Sequence, residues 1–366
     1  MKVALVYDRV NKWGGAERVI LALKSLFPDA PLFTSVYNKK SASWADEYEV
    51  ITSFLQKFPG ARNLHEFYAP LMPIAFESFD FSDFDAVISV TSEAAKGILT
   101  KTGTFHLCIC LTPTRYLWSG YDEYFKNALI KIAFGPIISY LRSWDKIAAR
   151  RPDAIVSISA TVHDRVQKYY NRESKIVSPP VTLHKGSSAQ LPEQDYFLVV
   201  SRLSRMTAYK RVDLAIKAAN KLKLPLKIIG TGRDLSYYQK MAGPTVEFIG
   251  KVTDEELSAY YQNAQALIFP GNEDFGLVMV EAQMHGKPII AYRSGGATEI
   301  VQEGRTGEFF EKQTVTSLLE VLAKFDRNRY NTQDSVKNAG KFTGDKFKNE
   351  FLAFFNDKLT EYQKNI

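Results

Sequence analysis

Short apolar runs of four to six residues recur along this chain, separated by longer stretches with helical spacing. In the first half they fall at residues 2–7, 32–37, 86–91, 106–111, 154–157 and 175–178. In the second they fall at 196–201, 226–229, 246–249, 266–269 and 288–292. Runs this short and this uniformly apolar suit strands buried on both faces of a parallel sheet. The segments between them keep helical periodicity, as Val19, Ile20, Leu23 and Leu26 do within residues 16–27, and as residues 211–222 and 254–263 do. Strand and helix alternating twice over predict an α/β protein of two Rossmann-like, doubly wound domains. The chain has 366 residues, 45% hydrophobic and 24% charged, which is enough for two ordinary domains and excludes disorder. Pro179-Pro180 and the polar residues 182–194 mark the boundary. The expected organisation is residues 1–178, a linker over 179–194, a second domain over 195–345, and a C-terminal helix over 346–366. On that helix Phe351, Phe354, Phe355 and Leu359 share one face.

The richest stretch is residues 270–301, PGNEDFGLVMVEAQMHGKPIIAYRSGGATEIV. A strand ends at Pro270, an acidic-glycine turn follows (Glu273, Asp274, Phe275, Gly276), and a helix beginning near Leu277 carries Glu281. A second strand then leads to Gly295-Gly296 and another helix. Helix starts present unpaired backbone N–H groups, so the stretch reads as a phosphate pocket. Glu281 could accept two hydrogen bonds from a ribose diol. Upstream, Arg202 ends a strand and Lys210 opens a helix, two cations suited to neutralising a diphosphate. Near the N-terminus, Gly14-Gly15 between the first strand and its helix would let a ligand approach the backbone.

Other motifs are weaker. Asp83 and Asp85 could hold Mg²⁺, but they sit where a strand begins, whereas ligands collect where strands end. Gly230-Thr231-Gly232 lacks the third glycine of a dinucleotide fingerprint, which argues against a nicotinamide or flavin enzyme. Cys108 and Cys110 share one strand and are expected to be reduced core residues of a cytosolic protein. The N-terminus reads as a first strand rather than a signal peptide, and the most apolar stretch, residues 128–141, is broken by Lys131. Net charge is +7, and residues 1–185 hold 23 Lys+Arg against 18 Asp+Glu. Residues 111–153 interleave aromatics with Arg115, Lys126, Lys131, Arg142, Lys146, Arg150 and Arg151. Such a stretch either touches an anionic membrane surface or forms amphipathic helices with aromatics packed inward, the second being the ordinary expectation. No nucleic-acid module accompanies the charge.

Taken together, SRLSRMTAYKRVDLAIKA, NEDFGLVMVEA and GGATEIV, with the N-terminal GGAE, TPTRYLW, SISATV and SPPV, resemble retaining glycosyltransferase family 4. The resemblance implies the GT-B architecture, two Rossmann-like domains facing a cleft, with the acceptor domain first and the C-terminal helix crossing back. It implies a metal-independent hexosyltransferase without a cofactor. Arg202 and Lys210 would hold the diphosphate and Glu273 the donor sugar. Asp274, Phe275, Gly276 and Leu277 would line the phosphate and sugar, Glu281 the ribose, Lys251 and Val252 the base. Gly14 and Gly15 would close over the phosphates. Transfer would be front-face, through an oxocarbenium-like state, with the leaving phosphate taking the acceptor's proton. Many members carry a histidine where this chain has Leu111, and His106 reads as a strand residue rather than its substitute. The combination of TPTRYLW with SRLSRMTAYKRVDLAI is similar to members that build O-antigen and other surface polysaccharides, often from GDP-mannose, on lipid-linked or oligosaccharide acceptors. A UDP-sugar transferase, a nucleotide-sugar epimerase and a non-catalytic sensor stay open. The expected place is the cytoplasm, at the inner face of the cytoplasmic membrane.

Overall fold

The computed structural model describes residues 1–182, 195–204 and 209–365. Most of the expected linker, residues 183–194, and residues 205–208 lie outside the described residues. The chain divides into two units, Met1–Pro180 with Gly344–Ile366, and Val181–Thr343.

The first unit is built on β1 (Val3–Tyr7), β2 (Leu32–Thr34), β3 (Val50–Thr52), β4 (Ala86–Thr91), β5 (Phe105–Cys110), β6 (Ala154–Ser157) and β7 (Lys175–Ile176). Every pairing is parallel, in the order β3-β2-β1-β4-β5-β6-β7. Strand order reverses between β1 and β4, whose register runs from Val3 opposite Ala86 to Tyr7 opposite Val90. The five residues of β1 and the six of β4 are all buried, which is why they read as unbroken apolar runs. Cys108 and Cys110 are free thiols buried in β5. Residues 32–37 and 175–178 pair over shorter lengths than their apolarity suggests. After Thr34 the chain keeps one isolated bridge from Tyr37 to Val10, and after Ile176 it runs into Pro179-Pro180.

The helix Gly344–Lys364 closes this unit. Its buried residues are Phe347, Phe351 and Phe355, spaced four apart, while Phe354 and Leu359 are only half-buried. Phe355 meets Phe27 at 5.5 Å and Phe105 at 5.7 Å between ring centroids, and Tyr362 meets Phe105 at 5.5 Å.

The second unit is built on β8 (Tyr196–Val200), β9 (Leu226–Ile229), β10 (Val246–Gly250), β11 (Ala264–Phe269), β12 (Ile289–Tyr292) and β13 (Gly307–Phe310), ordered β10-β9-β8-β11-β12-β13 and parallel throughout. Here the order reverses between β8 and β11. The helix Val212–Leu222 buries Val212, Leu214, Ala215, Ile216, Ala218 and Ala219 against Val199, Ile228 and Ile268 of the sheet. The helix Asp254–Asn263 starts on a capping box in which Thr253 and Glu256 exchange side-chain and backbone hydrogen bonds.

Candidate active site

In an open α/β sheet, ligands collect beyond the carboxyl ends of the strands where the strand order reverses. In the second unit that place is formed by the segments after β8 and β11. Both return the chain to a helix, so each brings a polar loop to the same edge.

These two loops are tied together. The Asn272 amide donates to the Tyr209 carbonyl at 3.0 Å. The Lys210 ammonium lies 2.6 Å from Glu273 Oε1, with side chains 14% and 23% exposed. Gly271 lets the strands of backbone approach, because a Cβ there would stand 3.0 Å from Lys210 Cα. Arg211 adopts the left-handed conformation with φ 47°, so the helix begins at Val212 rather than at Arg211. Its guanidinium is held by Asp213 at 3.0 Å and donates to the Gln313 carbonyl at 3.2 Å. Gln313 in turn donates to the Pro270 carbonyl at 3.0 Å. The Lys210–Glu273 pair therefore sits on a braced frame.

Gly276 precedes the helix Leu277–Met284 at φ 96°, where an L side chain is strained and a Cβ would stand 2.5 Å from Met279 Cε. No side chain caps this helix. Phe275 is buried and meets Phe342 at 5.5 Å between centroids, and Asp274 is half-buried beside it. Glu281 is 9% exposed and accepts the Tyr261 hydroxyl at 2.9 Å. Tyr261 is itself stacked on His285. A buried carboxylate held by a buried phenol has its direction set before any ligand arrives.

The double glycine serves differently from the expectation of a second free helix start. The Gly296 amide donates to the Glu273 carbonyl at 2.9 Å, and a Cβ on Gly296 would stand 2.1 Å from the Phe275 carbonyl oxygen. The helix that follows, Ala297–Ile300, has only four residues. Gly295-Gly296 is thus a contact surface that holds the 273–275 loop in place. Gly230 and Gly232 do the same for the loop after β8, since Cβ atoms there would stand 2.0 Å from the Ser201 and Leu203 carbonyls.

The other expected residues are spread more widely. Arg202 is exposed on the loop after β8, next to Ser201, whose amide donates to the Ile229 carbonyl at 2.9 Å. Lys251 is exposed and Val252 half-buried, just beyond β10. Gly14 and Gly15 belong to the first unit, at the corresponding place on its own sheet. Gly14 is the N-cap of the helix Gly15–Leu26 in extended backbone, and a Cβ there would lie 3.1 Å from Glu17 Oε2. Glu17 is buried and accepts the Tyr7 hydroxyl at 2.8 Å.

At that same edge the first unit holds a polar cluster that no motif announces. Asp8, directly after β1, is buried, and its carboxylate accepts the Thr91 hydroxyl and the amides of Ser92, Glu93, Ala94 and Ala95 at 2.6–3.0 Å. Arg9 pairs with Glu93 at 2.5 Å. The Asn11 amide donates to His65 Nδ1 at 3.2 Å, which leaves the proton on Nε2, a buried atom without a partner among the described residues. Burial pushes His65 down to about 3, with Arg9 and Lys12 adding to the depression. An acid placed immediately after a strand was the available signal for Asp8. Leu111 is buried beyond β5, and His106 lies inside the sheet with Nε2 2.8 Å from the Ser89 hydroxyl. Asp85 accepts the Lys2 amide at 2.6 Å at the opposite end of β4.

Residues 183–342 match the family described as glycosyl transferases group 1. A GDP-mannose-dependent alpha-mannosyltransferase of Corynebacterium glutamicum is 31% identical over 135 residues, 36% of this chain and 32% of that protein. An uncharacterised 41.2 kDa protein of the Klebsiella pneumoniae cps region is 30% identical over 131 residues, 36% of each chain. The matches span about a third of these relatives' lengths. Among solved structures, Anabaena HepE in complex with UDP superposes with TM-score 0.70 at 17% identity, over 98% of this chain and 100% of that one. Sucrose-phosphate synthase from Thermosynechococcus elongatus superposes with TM-score 0.75 at 14% identity, over 99% and 100%. These likenesses are of fold.

Proposed function

We propose that this chain, a GT-B protein whose residues 183–342 match the glycosyl transferases group 1 family, moves a hexose from a nucleotide-diphosphate sugar to an acceptor. The observation that carries the reading is the Lys210–Glu273 pair at 2.6 Å, at the carboxyl edge where β8 and β11 reverse the strand order. Lys210, with Arg202 from the same loop, neutralises the charge that grows on the departing diphosphate, so neither metal nor cofactor is called for. The uncapped first turn of the helix Leu277–Met284, entered through Phe275 and Gly276, offers its amides to the same phosphates, beside Asp274. Glu273 takes hydroxyls of the donor sugar. Glu281, its direction set by Tyr261, takes the ribose, and the backbone at Lys251 and Val252 borders the base. Transfer is retaining, and the leaving phosphate accepts the acceptor's proton.

GDP-mannose is the donor this reading favours, supported by the mannosyltransferase of C. glutamicum named above. A UDP-sugar is the second reading, favoured by the UDP complex of HepE. The acceptor is a lipid-linked or oligosaccharide chain of a surface polysaccharide, met at the inner face of the cytoplasmic membrane. Calorimetry with GDP and UDP, followed by product NMR of a donor and acceptor array, tests all of this. Tight UDP binding with none of GDP replaces the mannose assignment. Donor turnover without acceptor would make the chain an epimerase, and nucleotide binding without turnover a sensor. Lys210→Ala and Glu273→Ala each abolish transfer with the fold retained, and full activity in either overturns the site.

A further inference from the structure

The helix Ala128–Ala148 divides into halves that live in different surroundings. From residue 138 onward it is packed: Ile138, Leu141, Asp145 and Ala148 are buried, with Leu117 completing the cluster. Asp145 anchors that half, pairing with the buried Lys96 at 2.6 Å and accepting from Thr114, Trp118 and Tyr170. Residues 128–137 bury nothing. Leu129 and Ile132 are 75% and 74% exposed, and Ile130, Phe134 and Ile137 are exposed with them. The amphipathic packing expected of residues 111–153 thus holds for one half only.

The exposed half is too apolar all round to be an ordinary surface helix. At 100° per residue its large apolar side chains cover roughly 200° of the circumference, about twice the stripe that packing on one protein face needs. The remaining arc carries Lys131, paired with Asp122 at 2.6 Å. A medium that surrounds the helix fits this distribution better than a partner's groove. Ten residues rise ~15 Å, half of a ~30 Å hydrocarbon core, so the segment is too short to span a bilayer. Pro136 lacks an N–H for the Ile132 carbonyl, a deficit that water at the headgroup level satisfies and hydrocarbon does not. The flanking sequence carries Lys126, Lys146 and Arg150, exposed and outside any ion pair among the described residues, with Glu123 as an exposed opposing acid. Aromatics accompany them: Tyr124 and Tyr140 are exposed, Arg142 lies over Tyr121 at 4.4 Å and Lys146 over Trp118 at 5.4 Å.

We propose that residues 124–140 are an interfacial membrane anchor. The apolar half of the helix lies at the boundary of headgroups and acyl chains of an anionic bilayer, and Lys126, Lys146 and Arg150 meet lipid phosphates. The inference deepens the proposed function by naming the surface that brings the enzyme to a lipid-linked acceptor, and it rests on that reading for its purpose.

Sedimentation of the full chain with phosphatidylcholine vesicles, with and without phosphatidylglycerol, tests it. The wild type binds the anionic vesicles. A variant combining Leu129→Asp, Ile132→Asp and Phe134→Asp binds both kinds at least about tenfold more weakly, with an unchanged circular dichroism melt. A variant combining Lys126→Glu, Lys146→Glu and Arg150→Glu loses only the gain due to phosphatidylglycerol. Ile132→Trp adds a blue-shifted emission component on anionic vesicles. Wild-type affinity in the aspartate variant overturns the anchor. So does a vesicle-indifferent wild type that is a dimer in solution and a monomer in the aspartate variant. Nucleotide calorimetry on the same preparations without vesicles keeps the two readings apart: lost nucleotide binding speaks against the transferase site, lost vesicle binding against the anchor.

Discussion

Lys210 and Glu273 occupy each other before any substrate does. A partly buried ion pair contributes little net stability, because desolvation offsets its Coulomb gain. What it does supply is a fixed ammonium position at the sheet edge. Removing one partner leaves the other charge half-buried, so Lys210→Met should retain the fold while destabilising the second unit by about 1–3 kcal/mol in urea titration. Tyr261→Phe tests the positioning of Glu281: the donor KM should rise about tenfold with kcat nearly unchanged, since the ribose takes no part in bond breaking. An equal fall in kcat would show that Glu281 acts on the transition state instead. The glycines separate in the same way. Gly296→Ala drives a methyl to 2.1 Å from the Phe275 carbonyl and should cost about 2 kcal/mol or more together with donor affinity. Gly14→Ala meets only the end of the Glu17 side chain at 3.1 Å and should fold normally. Of these residues, Glu273, Glu281 and Lys210 could be picked out by residue type and spacing. Asp8 could not, because its role depends on five donors from the end of β4 and the turn after it, more than eighty residues away.

The strand and helix sequence was largely readable from apolar runs. Residues 226–229 and 254–263 form their elements at the expected limits, since each is bounded by a turn or a capping box. Boundaries shifted where tertiary pairing decides, as after Thr34 and Ile176. The uses of Gly230, Gly232, Gly295 and Gly296 were not readable, because a glycine that frees a turn and one that admits a neighbouring carbonyl look alike in a sequence. The split character of Ala128–Ala148 was equally hidden, since periodicity records which residues are apolar but not which are covered. The C-terminal helix gives a clean test at this scale. Phe351 is fully buried between Phe347 and Phe355, so Phe351→Ala should cost about 3–5 kcal/mol in chemical denaturation, read in the first unit's transition.

Acid sensitivity belongs to the whole molecule. His65 and His106, both in the first unit, are pushed from 6.5 to about 3 chiefly by burial. Both are neutral when folded and take up protons more readily when unfolded. Their contribution is therefore complete above about pH 6.5 and is lost as pH falls towards 3, at up to about 1.4 kcal/mol per pH unit for each. Urea midpoints of the first unit's transition should fall steeply over that window, and His106→Gln should flatten the slope; an unchanged slope would show that His106 is not the buried neutral group described. Saturating nucleotide should raise only the second unit's transition in calorimetry, because mass action stabilises the unit that binds.

The first unit is interrupted in the chain: it leaves at Pro180 and resumes at Gly344. Phe347, Phe351 and Phe355, which seal its core against Phe27 and Phe105, are made only after all of Val181–Thr343. During synthesis the upstream unit must therefore wait, for on the order of ten seconds or more, while the downstream unit is completed. Released chains truncated after Thr343 should show a protease-resistant second unit and a first unit still open.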